Sequence, residues 1–104
     1  MNSSQAYAAL DVADSFACSV SAKHEEEAIR KAGQQFRQKF PDADVLDWRC
    51  TFAKKDSNGN LHYDVLIHFV DQIIILDIDE ESIEHQLNTR YSSPHCMAYR
   101  KIKA

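Results

Sequence analysis

His62, Asp64 and His68 stand at i, i+2 and i+6 of an alternating run, so a strand would project all three from one face. Two imidazoles and a carboxylate are the groups of a zinc site or of proton transfer. Six residues of strand, however, separate the two histidines by ~20 Å, beyond any single coordination sphere. His62 with Asp64 supplies only two ligands, too few for a metal. A solvated outer face is the reading that these residues support.

The densest acidic cluster is Asp77, Asp79, Glu80, Glu81 and Glu84. From Asp71 to Asn88 there are six carboxylates and neither Lys nor Arg. An Asp-x-Asp pair at a strand end could hold Mg²⁺ with waters completing the octahedron, which makes a metal-dependent enzyme or ligand-binding domain built on Asp77, Asp79 and Glu80 one alternative. Helix N-termini attract acids for dipole reasons alone, and a patch of one sign steers charged partners. These last two readings outweigh the metal.

Nucleophilic chemistry finds less support. Cys18, Cys50 and Cys96 are odd in number and lack C-x-x-C spacing, which suggests neither a disulfide framework nor a zinc site. Cys18 and Cys50 fall on apolar faces, where thiols act as small hydrophobes. Cys96 and His95 are strand neighbours and point to opposite sides. Gly33 sits in a helical pattern and Gly59 in a turn, which leaves no glycine-rich phosphate loop. No catalytic residue, metal or cofactor is expected.

The elements that must carry these groups follow from periodicity. Residues 1–13 form an N-terminal arm of open structure, and a single α+β domain is expected over 14–104. From Ser15, alternation puts Phe16, Cys18, Val20 and Ala22 on one face of a strand and small residues on the other. From His24 to Phe40 the period is helical: Ala28, Ile29, Ala32, Phe36 and Phe40 make the stripe, three Glu open the helix, and Pro41 stops it.

Two alternating runs between Val45 and Val70 flank Asp56-Ser57-Asn58-Gly59-Asn60 and announce a β-hairpin. Asn58-Gly59 in a type I′ turn sets Ser57 opposite Asn60 and places Trp48, Cys50 and Phe52 on the core face with Val65, Ile67 and Phe69. The run Ile73-Ile74-Ile75-Leu76, apolar on both sides, either prolongs this strand or makes an extra strand over 73–78. Both of its faces call for burial, so Ile74 and Leu76 are candidates for partner or self-association contacts. Asp79 then caps a helix carrying Ile83, Leu87 and Tyr91, Ser92-Ser93-Pro94 breaks it, and a last strand runs from His95 to Lys103.

This order predicts a ferredoxin-like βαββαβ two-layer sandwich, an antiparallel sheet with two helices on one face. An RNA-recognition surface needs aromatic residues on the open sheet face. Here Ser15, Ala17, Ser19 and Ser21 line that face beside His62, Asp64, Leu66 and His68.

The chain has 104 residues, 44% hydrophobic and 27% charged, with a formal charge of −4 and a pI near 5.6. An acidic balance disfavours phosphate neutralisation, so nucleic-acid binding through Arg90, Arg100, Lys101 and Lys103 with Lys54 and Lys55 is a lesser alternative. The start of the chain has no basic region followed by an apolar one, and no run approaches membrane-spanning length. A cytoplasmic location is expected.

The function expected is a small acidic protein-binding module that inhibits or regulates a larger complex. Its partner surface is Asp77, Asp79, Glu80, Glu81 and Glu84 for steering, with Ile74 and Leu76 for burial. The same apolar run could pair two copies into a homodimer. Size and charge without a motif are what an anti-CRISPR-like phage or plasmid protein, occupying a nucleic-acid-binding surface, looks like.

Overall fold

The computed structural model describes the backbone of residues 6–76 and 80–103, and the side chains of 9–73 and 84–95. The architecture is α+β: an antiparallel sheet and two helices. The elements are β1 (Ala6–Ala22), α1 (Glu25–Lys39), β2 (Asp44–Lys55), β3 (Leu61–Leu76), α2 (Glu80–Arg90) and β4 (His95–Lys103). The strands hydrogen-bond in the order β2-β3-β1-β4. Two compact units divide the chain, one of residues 15–69 and one of residues 1–14 with 70–104.

In the unit of residues 15–69, α1 begins where His24, in extended backbone, accepts the Glu27 N–H on Nδ1 at 3.3 Å. Glu27 reaches back to the Lys23 N–H at 3.1 Å, and Lys31 lies 3.5 Å from the same carboxylate. These two contacts hold Glu27 below the usual carboxylate range, the Lys23 amide contributing most. The helix ends as the Phe40 N–H closes on the Phe36 carbonyl at 2.8 Å, ahead of Pro41.

Ala28, Ala32 and Phe36 are fully buried. Phe36 meets Phe16 of β1 at a ring-centroid distance of 5.8 Å and Phe69 of β3 at 5.0 Å, while Phe40 meets Phe69 at 4.5 Å. Val20, Val65 and Ile67 complete this core.

The other unit buries Leu10, Val12, Ile73, Leu87 and Tyr91. Residues 6–13, which the sequence left open, belong to β1. They pair antiparallel with β4 from Ala6 opposite Lys103 to Ala13 opposite His95, with an irregularity between Asp11 and Val12. Asp14 is the buried charged residue among the described residues of this unit. Its two carboxylate oxygens accept the Ser92 and Ser93 N–H groups at 2.8 and 3.0 Å, tying the exit of α2 to β1. The Tyr91 hydroxyl donates to Asp71 at 3.1 Å, and burial together with that carboxylate pushes its pKa well up.

Two expectations change, and one pair of alternatives resolves. Of the two readings of Ile73 to Leu76 the first holds, since they continue β3, and 77 and 78 lie outside the described residues. A continuous strand avoids the break in pairing that a turn at Asp71-Gln72 would bring.

The hairpin turn is not the two-residue type I′ form. Asp56 N–H donates to the Asn60 carbonyl at 2.9 Å and Gly59 N–H to the Asp56 carbonyl at 3.0 Å, so Asp56 rather than Ser57 faces Asn60. Gly59 takes a φ of +84°, the left-handed residue that ends a three-residue loop. The side-chain faces hold all the same, since Phe52 still meets the Tyr63 ring at 5.8 Å.

Lastly, β2 is not the half-buried strand that its alternation suggests. Nearly all its positions are exposed.

Replacing Phe36 with Ala removes the ring shared by α1, β1 and β3 and should lower unfolding free energy by about 3–5 kcal/mol in urea titration. Asp14→Ala strands two amides and should cost about 2 kcal/mol in the same measurement.

Candidate binding edge

β2 ends the strand order, so among the described residues one of its edges has no neighbouring strand. Such an edge presents a row of N–H and C=O groups ready to pair with another chain. Its even-numbered positions, Asp44, Leu46, Trp48, Cys50, Phe52 and Lys54, alternate with Val45, Asp47, Arg49, Thr51 and Ala53. Trp48 lies toward α1: a Cβ added to Gly33 would fall 3.2 Å from the indole Cη2. Glycine there lets the ring approach the helix closely. Phe52, two pleats along, sits edge-on to Tyr63.

Those contacts cover only part of the strip. Leu46 is 63% exposed, Phe52 54% and Trp48 38%. Three large apolar side chains on one face of an edge strand form a contiguous patch of the kind that marks an interaction site. On the opposite face Arg49 and Asp47 make an ion pair at 3.5 Å, both exposed.

The open face of β1 and β3 is polar and internally satisfied. Ser15 Oγ and His68 Nδ1 are hydrogen-bonded at 2.8 Å, and Ser19 Oγ donates to Asp64 at 2.7 Å. A serine beside an imidazole is the beginning of a nucleophilic pair. Here, though, no third group among the described residues is hydrogen-bonded to the His68 ring to orient it. A shallow concavity of about 530 Å³ lies beside it, lined by Ala17, Ser19, Arg49, Thr51, Asp64 and Leu66.

His62 turns toward the hairpin loop, its Nε2–H donating to Asp56 at 2.9 Å, and not toward Asp64. Among the described residues no three His, Cys, Asp or Glu side chains converge on a metal position. The Cys18 and Cys50 thiols are pushed up, both by burial first and Cys50 also by the Glu25 charge, which keeps them protonated.

Of the acidic and apolar residues read as a partner surface, Glu84 is exposed on α2. Glu80 and Glu81 lie in the first turn of α2, and Ile74 and Leu76 in β3, all with side chains outside the described residues. Asp77 and Asp79 lie outside them altogether. Among the described residues the exposed large apolar side chains are Leu46, Trp48 and Phe52 of β2, of which the alternation had assigned Trp48 and Phe52 to the core. The signal was available: a single stripe of Ala28, Ala32 and Phe36 is too narrow to cover three strands.

Asp56 closes the hairpin loop by accepting from His62, and from the Asn58 and Asn60 N–H groups at 2.9 and 3.0 Å. These bonds, that of His62 foremost, lower its carboxyl from 3.8 to about 2. A depressed carboxyl stabilises the folded state above its unfolded pKa and loses that contribution as pH falls through the folded one. The stability difference between wild type and Asp56→Ala should therefore be full at neutral pH and shrink from about pH 4 to about pH 2, read by urea titrations at each pH.

The chain matches no protein-family model, and no curated protein or solved structure is similar to it.

Proposed function

We propose that the protein is a protein-binding module whose binding surface is the edge of β2. The observation that carries this reading is the exposure of Leu46, Trp48 and Phe52 on a strand with one unpaired edge. A segment added there gains main-chain hydrogen bonds along the ladder, and its side chains pack on the apolar strip, the combination that gives strand addition its affinity and specificity. The reading favours binding over catalysis, because Ser15 and His68, and Ser19 and Asp64, are spent on one another and the Cys18 and Cys50 thiols are held protonated.

The role that suits such a module is inhibition or regulation of a larger complex in the cytoplasm. A formal charge of −4 favours a basic partner surface, such as the nucleic-acid channel that an anti-CRISPR-like protein would occupy. The acidic segment that includes exposed Glu84 adds steering toward such a surface. No described helix is long and apolar enough to cross a membrane. The order βαββαβ with strands in the sequence β2-β3-β1-β4 supports a ferredoxin-like topology, in which β2 is an edge by construction.

Affinity capture from bacterial lysates, with wild type beside Phe52→Glu and Glu84→Lys, tests the surface. Wild type should retain a partner that Phe52→Glu loses, while Glu84→Lys should retain it with weakened, salt-sensitive association. Equal retention by wild type and Phe52→Glu would overturn the assignment to β2.

A further inference from the structure

The side of β2 that carries Trp48 and Phe52 reads Asp44, Leu46, Trp48, Cys50, Phe52, Lys54. Reversed, it reads base, four apolar residues, acid. An antiparallel neighbour related by a two-fold axis presents that reversal. We propose that the occupant of the β2 edge is a second copy of this chain, paired antiparallel through β2 about a two-fold axis at Arg49. The proposal deepens the binding-edge reading and rests on it.

In this register Asp44 faces Lys54 of the other copy, Leu46 faces Phe52 and Trp48 faces Cys50, and the symmetry makes each pair twice. Every apolar side chain on the strip meets an apolar one, and each terminal charge meets its opposite. On the other side Val45 faces Ala53 and Asp47 faces Thr51. Arg49 faces its own copy on the axis, a like-charge meeting that its ion pair with Asp47 at 3.5 Å moderates.

Other registers do worse. A shift of two residues in one direction sets Leu46 against Lys54, and in the other direction Asp44 against Phe52. A one-residue slip lays the apolar strip beside the polar side of the other copy. Charge and apolar pattern thus select one pairing, and pairing would also cover the exposed edge.

Sedimentation over a wide concentration range tests the dimer, with far-UV circular dichroism to check folding. Wild type should dimerise. Leu46→Lys, at the most exposed strip position, should weaken dimerisation by roughly tenfold or more, and Leu46→Lys/Phe52→Asp should restore it, because only this register sets position 46 against position 52.

Oxidation supplies a second readout, in a Cys18→Ser/Cys50→Ser/Cys96→Ser background. Arg49→Cys should give a covalent dimer readily, and Thr51→Cys, which faces Asp47, should not. A chain monomeric at every concentration overturns the second-copy proposal, as does a dimer indifferent to Leu46→Lys, or cross-linking by Thr51→Cys equal to that by Arg49→Cys. If a monomer still captures a partner in a Phe52-dependent way, the binding edge stands and only the second copy falls; if that capture fails too, both fall.

Discussion

Four phenylalanine rings set the terms for the unit of residues 15–69. Phe36 and Phe40 descend from α1 onto Phe69 of β3 and Phe16 of β1, with Phe36 and Phe69 fully buried. Aromatic pairs at these separations gain about 0.5–1.5 kcal/mol each beyond their burial. Ala28 and Ala32, small and fully buried, let the first half of the helix come close to the sheet. A helix held that way satisfies its apolar stripe on two strands. The third, β2, receives only the partial cover that Gly33 permits by admitting Trp48. The wet apolar edge is thus a consequence of where the core is anchored.

The acidic excess has a similar division of labour. Asp14 holds the Ser92 and Ser93 amides, Asp56 the hairpin loop, Asp64 the Ser19 hydroxyl, and Asp71 the Gln72 amide and the Tyr91 hydroxyl. Each accepts from an amide or hydroxyl of the chain itself. A formal charge therefore overstates the surface free to steer a partner, because several carboxylates are already directed at internal donors. Glu84 is different, exposed on α2 where its field extends into solvent.

Local pattern made much of this legible. Helical spacing from Ala28 to Phe36, with acids before it and Pro41 after, announces α1, and Asn58-Gly59 announces the hairpin. What the pattern could not convey is non-local. Residues 6–13 become strand because β4, some ninety positions away, pairs with them. Alternation in β2 identifies which residues share a face and is silent on whether anything lies over that face, so Trp48 and Phe52 read as core. The turn differs because the Asp56 carboxylate collects the Asn58 and Asn60 amides and draws Ser57 into the loop. The Ser15–His68 and Ser19–Asp64 pairs depend on a β1–β3 register that no short connection sets.

The pairing of β1 with β4 bears on how the chain is made. Ala6 lies opposite Lys103 and Ala13 opposite His95, so the N-terminal half of β1 cannot complete that ladder until residues 95–103 have left the ribosome. The contacts of α1, β2 and the hairpin span much shorter separations and are available earlier, in keeping with the greater speed of local closure. During synthesis the N-terminal half of β1 is therefore an open edge awaiting β4, and that interval is when it is most exposed to pairing with the wrong strand.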